Sequence, residues 1–224
     1  MSTNTPSKRS DLPGRGRPKR HSDDVLRTRL LDAAMTAFIE KGFARATTTD
    51  IARRAGMSKR DLYRLFDDKT QIFTETILSR RHLILDLPRP ANEALAPLEA
   101  LRCIFRLDLA DREAAERDAL MNLIARESLL FPDLNALLYD TGTIRSREFL
   151  ITWLDGQMDA GSLPRCDTTR LAGLLMDVVF GALLPRRQHR GPVDRVAQSQ
   201  EIMARIEIVL RGLDLTHDKE RTSD

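Results

Sequence analysis

Three helix-start patterns lie close together between residues 47 and 71. In such a pattern a Ser, Thr or Asp side chain accepts a hydrogen bond from an early backbone N–H of the helix. A side chain three residues later can then reach back. The three pairs are Thr47 with Asp50, Ser58 with Asp61, and Asp68 with Gln71. Because the starts are only 11 and 10 residues apart, we predict short helices joined by very tight turns.

The first two short helices have the layout of a helix-turn-helix. We predict helices over Thr47–Ala55 and Ser58–Phe66, with Gly56-Met57 as the turn. The second helix then protrudes, with Leu62, Leu65 and Phe66 inward and four outward residues, Lys59, Arg60, Tyr63 and Arg64. Cations beside a hydroxyl suit a surface that faces phosphates. The alternative is a small helical hairpin inside an ordinary bundle, which needs no such exposed cluster.

The charge of the chain is unevenly distributed. Residues 1–69 contain 16 Lys and Arg against 9 Asp and Glu, a balance of +7, whereas residues 70–224 contain 20 against 24, a balance of −4. The front of the chain is therefore expected to meet a polyanion and the remainder is not. Residues 1–22 have a balance of +5, several Pro and Gly and few apolar side chains, so we expect a flexible basic arm.

Composition and motifs exclude several other classes. The two cysteines, Cys103 and Cys166, form no ligand pattern, so we predict neither a disulfide framework nor a metal site, and no cofactor. The longest apolar stretch, Leu171–Leu184, is too short to span a bilayer and contains Asp177. The amino end has no apolar signal segment. We expect a reducing, cytoplasmic protein with no membrane partner.

Helical periodicity continues through the rest of the chain, so we predict an all-α fold. The first helix is expected over Asp23–Lys41 and to end at Gly42, with Phe43 folding back onto Phe38. The remaining predicted helices run over Asp68–Leu87, from Pro97, over Ala115–Leu130, from Pro132 to about Ala160, and over Leu171–Leu184. A last helix carries a heptad-like seam of Val196, Met203, Ile206, Leu210 and Leu213. With the Leu171–Leu184 helix, this seam is expected to pair with a second copy of the chain as a four-helix interface; the alternative is that both are core helices.

The helix-turn-helix segment carries a family resemblance. Residues 23–72 resemble the DNA-binding domain of the TetR/AcrR family of bacterial transcriptional regulators. The matching strings are ATTTDIA over residues 46–52, AGMSK over residues 55–59, LYRLF over residues 62–66, and Lys69. More loosely, Arg126–Leu134 resembles the AefR-like C-terminal domain within that family. The resemblance implies a DNA-binding domain followed by a larger helical domain for ligand binding and dimerisation.

The resemblance also implies roles for individual residues. Base-reading positions are Lys59, Arg60, Asp61 and, at times, Thr49; cations pair well with guanine acceptors in the major groove. Backbone-holding positions are Thr47, Thr48, Tyr63 and Lys69, to which Ser58 and Arg64 are added as phosphate-side candidates. Arg60, Asp61 and Leu65 depart from common family residues, so the operator sequence is not predicted. Asp61 is expected to accept from cytosine or, the favoured interpretation, to complete the helix cap.

The arm has two open interpretations. Gly14–Arg20 resembles the core of an AT-hook, in which extended arginines enter a narrow A·T minor groove. The residues concerned are Arg15, Arg17, Lys19 and Arg20. Alternatively, the arm is a solvated basic tail that adds only nonspecific phosphate attraction.

The sequence as a whole favours a DNA-binding regulator in three parts. We expect the arm over residues 1–22, the DNA-binding domain with a connecting helix over residues 23–87, and a helical effector-binding and dimerisation domain over residues 88–224. The expected partners are operator DNA, a second copy of the chain and an unidentified small-molecule effector, for which no ligand residue is predicted. The rivals are an architectural DNA-binding protein without specific sites and a helical enzyme, although no nucleophile elbow, phosphate loop or paired carboxylates favour the latter.

Overall fold

Every regular element in the described part of the chain is helical, which confirms the all-α fold class. The computed structural model describes residues 23–90, 93–140, 145–183 and 193–221. The helices are α1 (Asp23–Arg45), α2 (Thr48–Arg54), α3 (Lys59–Leu65), α4 (Lys69–Leu78), α5 (Pro97–Ile104), α6 (Asp111–Leu130), α7 (Pro132–Asp140), α8 (Ser146–Asp159), α9 (Thr168–Leu183) and α10 (Arg195–Arg221). None of the described helices is long and apolar enough to cross a membrane.

The first four helices share one hydrophobic core. α1 packs against α4, α2 and α3, and its Phe38 is fully buried with Ile51 of α2 and Leu62 of α3. Phe73 of α4 meets Phe38 edge-on with ring centroids 5.0 Å apart. This core fixes the orientation of the two short helices α2 and α3 relative to α1.

Gly42 ends the regular part of α1, as predicted. Its φ is 77°, inside a helix that otherwise runs on to Arg45 across a kink. Only glycine adopts this left-handed region without a steric cost. Phe43 folds back so that its ring lies 6.1 Å from that of Phe38, which confirms the predicted contact. The kink turns the chain toward the start of α2.

Replacing Gly42 with alanine is expected to lower the free energy of unfolding by about 1–2 kcal/mol, since positive φ is unfavourable for residues with a Cβ. The added Cβ would also lie 3.1 Å from Oε1 of the buried Glu127. The measurement is urea denaturation of both proteins. Gly156→Ala is the matched control, because its Cβ would meet nothing within 4 Å and a helical alanine should stabilise by about 0.5–1 kcal/mol. Equal effects at the two glycines would contradict this explanation.

The predicted helix over Asp68–Leu87 is wrong in its length, because α4 ends at Leu78 and a short 3₁₀ turn covers Arg81–Leu83. The cause is tertiary. Arg80 is 8% exposed, and its guanidinium binds Asp32 of α1 and Glu116 of α6. A straight helix past Leu78 would not place this side chain between the two carboxylates. The chain therefore turns at Ser79, whose hydroxyl donates to the Thr76 carbonyl oxygen at 3.0 Å.

The helix predicted from Pro132 to about Ala160 is two helices, α7 and α8. Pro132 opens α7 as expected, but Arg145 has a non-helical conformation before α8 begins. Its guanidinium donates to the carbonyl oxygens of Tyr139 and Asp140 at 3.1 and 3.2 Å. These carbonyls belong to the last turn of α7 and lack partners within the helix. Arg145 thus closes α7 and separates it from α8.

A second core holds the carboxyl-terminal helices together. α9 packs against both α8 and α10, and Leu154, Leu175 and Ile206 are fully buried between them. Most of the predicted seam on α10 faces this internal core, because Met203, Ile206, Leu210 and Leu213 pack against it. Val196, in contrast, is 68% exposed. The heptad spacing therefore reports packing within one chain.

Helices α6 and α7 contribute to the amino-terminal core. Leu120 and Leu123 of α6 and Leu134 and Leu138 of α7 are buried in the same cluster as the α1–α4 core. Phe131 between these helices lies 5.6 Å from Phe43. The domain division at residues 87 and 88 stays a prediction, since part of the carboxyl-terminal region completes the amino-terminal core.

Candidate nucleic-acid interface

The three predicted helix caps are present and set the geometry of the site. The side chains of Thr47, Ser58 and Asp68 accept from the backbone N–H groups three residues later, at 3.1, 3.1 and 2.7 Å. The reaching-back contacts differ from expectation. The carboxylates of Asp50 and Asp61 accept from the cap hydroxyls of Thr47 and Ser58 at 3.0 and 2.6 Å. Gln71 Oε1 accepts from the N–H of Asp67 at 2.6 Å, outside the helix.

The turn between α2 and α3 is held against α1. Gly56 has φ of 60°, and the N–H of Met57 donates to the Ala52 carbonyl oxygen at 3.0 Å. Arg29 of α1 donates to the Gly56 carbonyl oxygen at 3.4 Å. A Cβ on Gly56 would lie 2.3 Å from the Arg29 guanidinium. The predicted turn at Gly56-Met57 is confirmed, and the positive φ of Gly56 favours glycine at this position.

α3 presents the predicted cationic face to solvent. Leu62 and Phe66 are buried and Leu65 is half-buried, all toward the core. The four residues predicted to point outward, Lys59, Arg60, Tyr63 and Arg64, are exposed. Within the described residues, Arg60 makes no hydrogen bond or ion pair with the rest of the protein. An α-helix such as α3 fits the major groove of B-DNA. The guanidinium of Arg60 is therefore available to a ligand.

Two residues that are predicted to contact the DNA backbone, Thr48 and Tyr63, lie side by side. The hydroxyls of Thr48 and Tyr63 are 3.1 Å apart, which joins the start of α2 to the middle of α3. The ammonium of Lys59 lies 5.7 Å from the centre of the Tyr63 ring. Hydroxyls from both helices and a cation therefore form one polar surface, of the composition that suits phosphate oxygens.

Other predicted site residues have partners inside the domain. Arg64 forms two hydrogen bonds to Asp23 at the start of α1, at 2.8 and 2.9 Å. The Asp61 carboxylate accepts from Ser58, which agrees with the favoured interpretation that it completes the cap. Thr49 is exposed in the first turn of α2.

Lys69 points toward the end of α1. Its ammonium donates to the carbonyl oxygens of Phe43 and Ala44 at 2.8 and 3.2 Å. It also lies 4.4 Å from the centre of the Phe43 ring. Burial lowers the pKa of Lys69, and the charge of Glu127 opposes that shift. Lys69 thus caps a helix end in this structure, and its contact with DNA stays a prediction.

Sequence reasoning missed Lys41, which fixes the start of α2. Its ammonium lies 2.8 Å from the Asp50 carboxylate. Hydrogen bonds from Lys41 and Thr47 lower the pKa of Asp50 from 3.8 to about 2. The carboxylate therefore stays charged at any pH near neutrality and holds the Thr47 cap. No local pattern predicts this pair, because it depends on the kink at Gly42.

The minor-groove arm lies outside the described residues. The prediction concerns Arg15, Arg17, Lys19 and Arg20, all before residue 23. Both interpretations of the arm stay open.

In this structure the second helix of a capped helix-turn-helix exposes cations. That arrangement is typical of helix-turn-helix DNA-binding proteins. Residues 30–76 match the family model described as bacterial regulatory proteins, tetR family. This segment is therefore similar to the amino-terminal domains of that family. It covers α1 from its first buried residue, Leu30, through most of α4.

Known proteins extend the similarity along the chain. BetI, a transcriptional regulator from Agrobacterium fabrum, is 37% identical over 94 residues, which cover 40% of this chain and 44% of BetI. The transcriptional repressor KstR2 from Mycolicibacterium smegmatis is 28% identical over 201 residues, 84% of this chain and 90% of KstR2. GusR from Salmonella enterica has a similar fold, with a TM-score of 0.68 and 22% sequence identity. The match covers 86% of this chain and 99% of GusR.

The matches of highest identity cover only part of the chain. In its matches at 36–37% identity, this chain spans less than half the length of the curated relatives. The family model ends at residue 76, well before the junction of α6 and α7 where Arg126–Leu134 lies. The resemblance of that segment to the AefR-like domain is not confirmed.

Proposed function

We propose that this protein is a sequence-specific transcriptional regulator. It acts as a homodimeric repressor in the cytoplasm and is released from a near-palindromic operator by a small-molecule effector. One observation supports this most directly. The segment that matches the tetR model contains a capped helix-turn-helix whose second helix exposes Lys59, Arg60 and Tyr63. Competition binding tests it, because a specific regulator prefers its site over bulk DNA by at least about 10³. A smaller preference favours an architectural DNA-binding protein.

Roles within the interface follow from position and chemistry. Lys59 and Arg60 start α3 and are exposed, so they are the leading candidates to read bases; Thr49 and Asp61 are secondary ones. The hydroxyls of Thr47, Thr48, Ser58 and Tyr63, together with Arg64 and Lys69, are the candidates for phosphate contacts. The exposed pair of Thr48 and Tyr63 gives the phosphate-side proposal its best geometric support.

Two substitutions separate these roles. Tyr63→Phe should weaken binding to all sequences by a similar factor, since phosphate contacts carry no sequence information. Lys59→Ala should instead change the preference at one base step, by about 1–3 kcal/mol. Both are measured as affinities for a panel of single-base operator variants at fixed salt. Arg165→Ala is the control, because that exposed cation follows α8 and pairs with Asp159. If Tyr63→Phe changed the preference at one base step and Lys59→Ala weakened binding to all sequences alike, the proposed position of α3 in the major groove would be contradicted.

The carboxyl-terminal helices offer a face for a second copy of the chain. On α10, Val196 and Ile208 are 68% and 70% exposed, and on α9 Leu174 is 48% exposed. Ala197 and Ala204 are exposed on the same side of α10 as Ile208. We therefore place the dimer interface on this face of α9 and α10, beside the seam that packs inside the chain. A dimer reads two half-sites and gains affinity through effective concentration.

α6 is the proposed route from the effector to the DNA-binding domain. It reaches that domain through Glu116, which binds Arg80, and through Arg126, which donates to the Phe38 carbonyl oxygen at 3.1 Å. α4 ends at Leu78 and is too short to carry the movement between the domains alone. A ligand shifts operator affinity only by its different affinities for the two forms of the dimer. A shift of α6 would move α1 and α4, and with them the spacing of the two α3 helices.

A further inference from the structure

α9 contains one charged side chain in a long apolar stretch. Between Leu171 and Leu183 the single ionisable residue is Asp177. Its side chain is exposed, and within the described residues it forms no hydrogen bond or ion pair. The other charges near the carboxyl-terminal core are largely paired, as Asp118 is with Arg117 and Arg195. Among the described residues, neither packing nor an ion-pair partner accounts for a carboxylate at this position.

The Asp177 carboxylate lies in a groove between α6, α8 and α9. The groove has a volume of about 460 Å³, within the range of small-molecule sites. Its walls include Met121 of α6 and Met176 and Phe180 of α9. Flexible thioethers and an aromatic ring adapt to an irregular apolar body. The rings of Phe180 and Phe105, which belongs to the core, form a T-shaped pair with centroids 6.0 Å apart, so this wall is anchored.

The cation at the other end of the groove is already engaged. Arg147 of α8 donates to the Thr169 carbonyl oxygen at 3.2 Å. Its guanidinium lies against Gly173, where a Cβ would be 3.0 Å from Nη2. Gly173 and Asp177 are one helical turn apart on α9. The groove is therefore lined by an arginine that donates to a carbonyl oxygen and, one helical turn further along α9, by a carboxylate that has no partner among the described residues.

We propose that this groove is the effector site and that it takes an organic cation with an apolar body. The ammonium pairs with Asp177 and lies near Phe180, whose ring face attracts cations, while the body lies between Met121 and Met176. An anionic ligand would face the Asp177 carboxylate, and the cation that lines the groove, Arg147, already donates to the Thr169 carbonyl oxygen. The inference rests on the proposed function, since it names the chemical class of the effector. The groove also lies along α6, the helix that reaches Arg80 and Phe38.

Three probes with the same body test the charge preference. Phenylbutylamine, phenylbutanol and phenylbutyrate share one aromatic and aliphatic part and differ in the charge of the head group. Calorimetric titration of the full-length protein should show the amine binding about tenfold more tightly than the alcohol, and the carboxylate most weakly. Asp177→Asn should remove the advantage of the amine. Asp155→Asn should keep it, because Asp155 is an exposed aspartate on α8 that does not line the groove.

Several outcomes would overturn the proposal. Equal affinities for the amine and the alcohol would do so, as would tighter binding of the carboxylate, which would mean that Arg147 controls the site. Absence of binding up to about 10 mM would also do so. If a second copy of the chain covers Asp177, binding of the amine will be restricted to monomers, which contradicts an effector site in the dimer.

The role as effector site has a separate readout. Saturating phenylbutylamine should lower the affinity of the protein for its selected DNA site by at least fivefold, and Asp177→Asn should abolish that effect. Unchanged DNA affinity would overturn the effector role of the groove. Specific DNA binding is measured separately, in the absence of probe. If specific DNA binding is absent, the proposed function is contradicted. If specific DNA binding is present but the probe has no effect, only the proposal for the groove is contradicted.

Discussion

Replacing Ile208 with glutamate is expected to convert the protein to monomers and to lower its affinity for a two-half-site operator by about 10²–10³. Ile208 is 70% exposed on α10, an unusual position for a large apolar side chain, and the exposed Ala204 lies one helical turn before it. A glutamate in a symmetric interface meets its own copy or is buried without a partner, and both are costly. Sedimentation velocity gives the assembly state, and titration with operator DNA gives the affinity.

A matched control separates this effect from general solubility changes. Leu129→Glu introduces the same charge at a leucine that is 84% exposed at the end of α6. It should leave both the sedimentation coefficient and the operator affinity unchanged. Dissociation by Leu129→Glu but not by Ile208→Glu would move the interface away from α9 and α10. A monomeric wild-type protein with full operator affinity would contradict dimeric reading altogether.

Replacing Phe73 with alanine is expected to reduce the free energy of unfolding by about 3–5 kcal/mol. Phe73 is fully buried and contacts both Phe38 and Phe43, with ring centroids 5.0 and 5.2 Å apart. Its loss leaves a cavity where α4 joins the kinked end of α1. Because that end positions the start of α2, specific DNA binding should fall together with stability.

Urea denaturation followed by circular dichroism measures the effect of Phe73→Ala. Leu78→Ala serves as the control on the same helix, since Leu78 is 41% exposed and should cost less than about 1 kcal/mol. Similar losses for the two variants would mean that the aromatic cluster does not form the core of the DNA-binding domain.

Local signals in the sequence predicted most of the helix-turn-helix. Caps at Thr47, Ser58 and Asp68 and the positive φ of Gly42 depend on residues three or four positions apart. Such signals can be recognised along the chain without knowledge of the fold. The outward face of α3 followed from helical periodicity in the same way.

Tertiary contacts decided the features that sequence reasoning missed. α4 ends at Leu78 because Arg80 reaches carboxylates 48 and 36 residues away along the chain. Lys69 faces the end of α1 because Phe43 folds back beneath it. No local pattern encodes either contact.

Periodicity also did not distinguish a chain's own core from a partner surface. Ile206, a seam residue, is fully buried, and Ile208, two positions later and so on the opposite side of the helix, is 70% exposed. The heptad spacing located the internal seam and left the exposed face unidentified. The unpaired carboxylate of Asp177 became informative only when α6 and α8 were placed beside α9.

Selection of bound fragments from random DNA tests dimeric, sequence-specific reading most directly. A dimer that places two α3 helices in successive major grooves should enrich near-palindromic sites, with half-sites separated by about one helical turn or a multiple of it. Enrichment of a single half-site, or no enrichment over bulk DNA, would contradict this function.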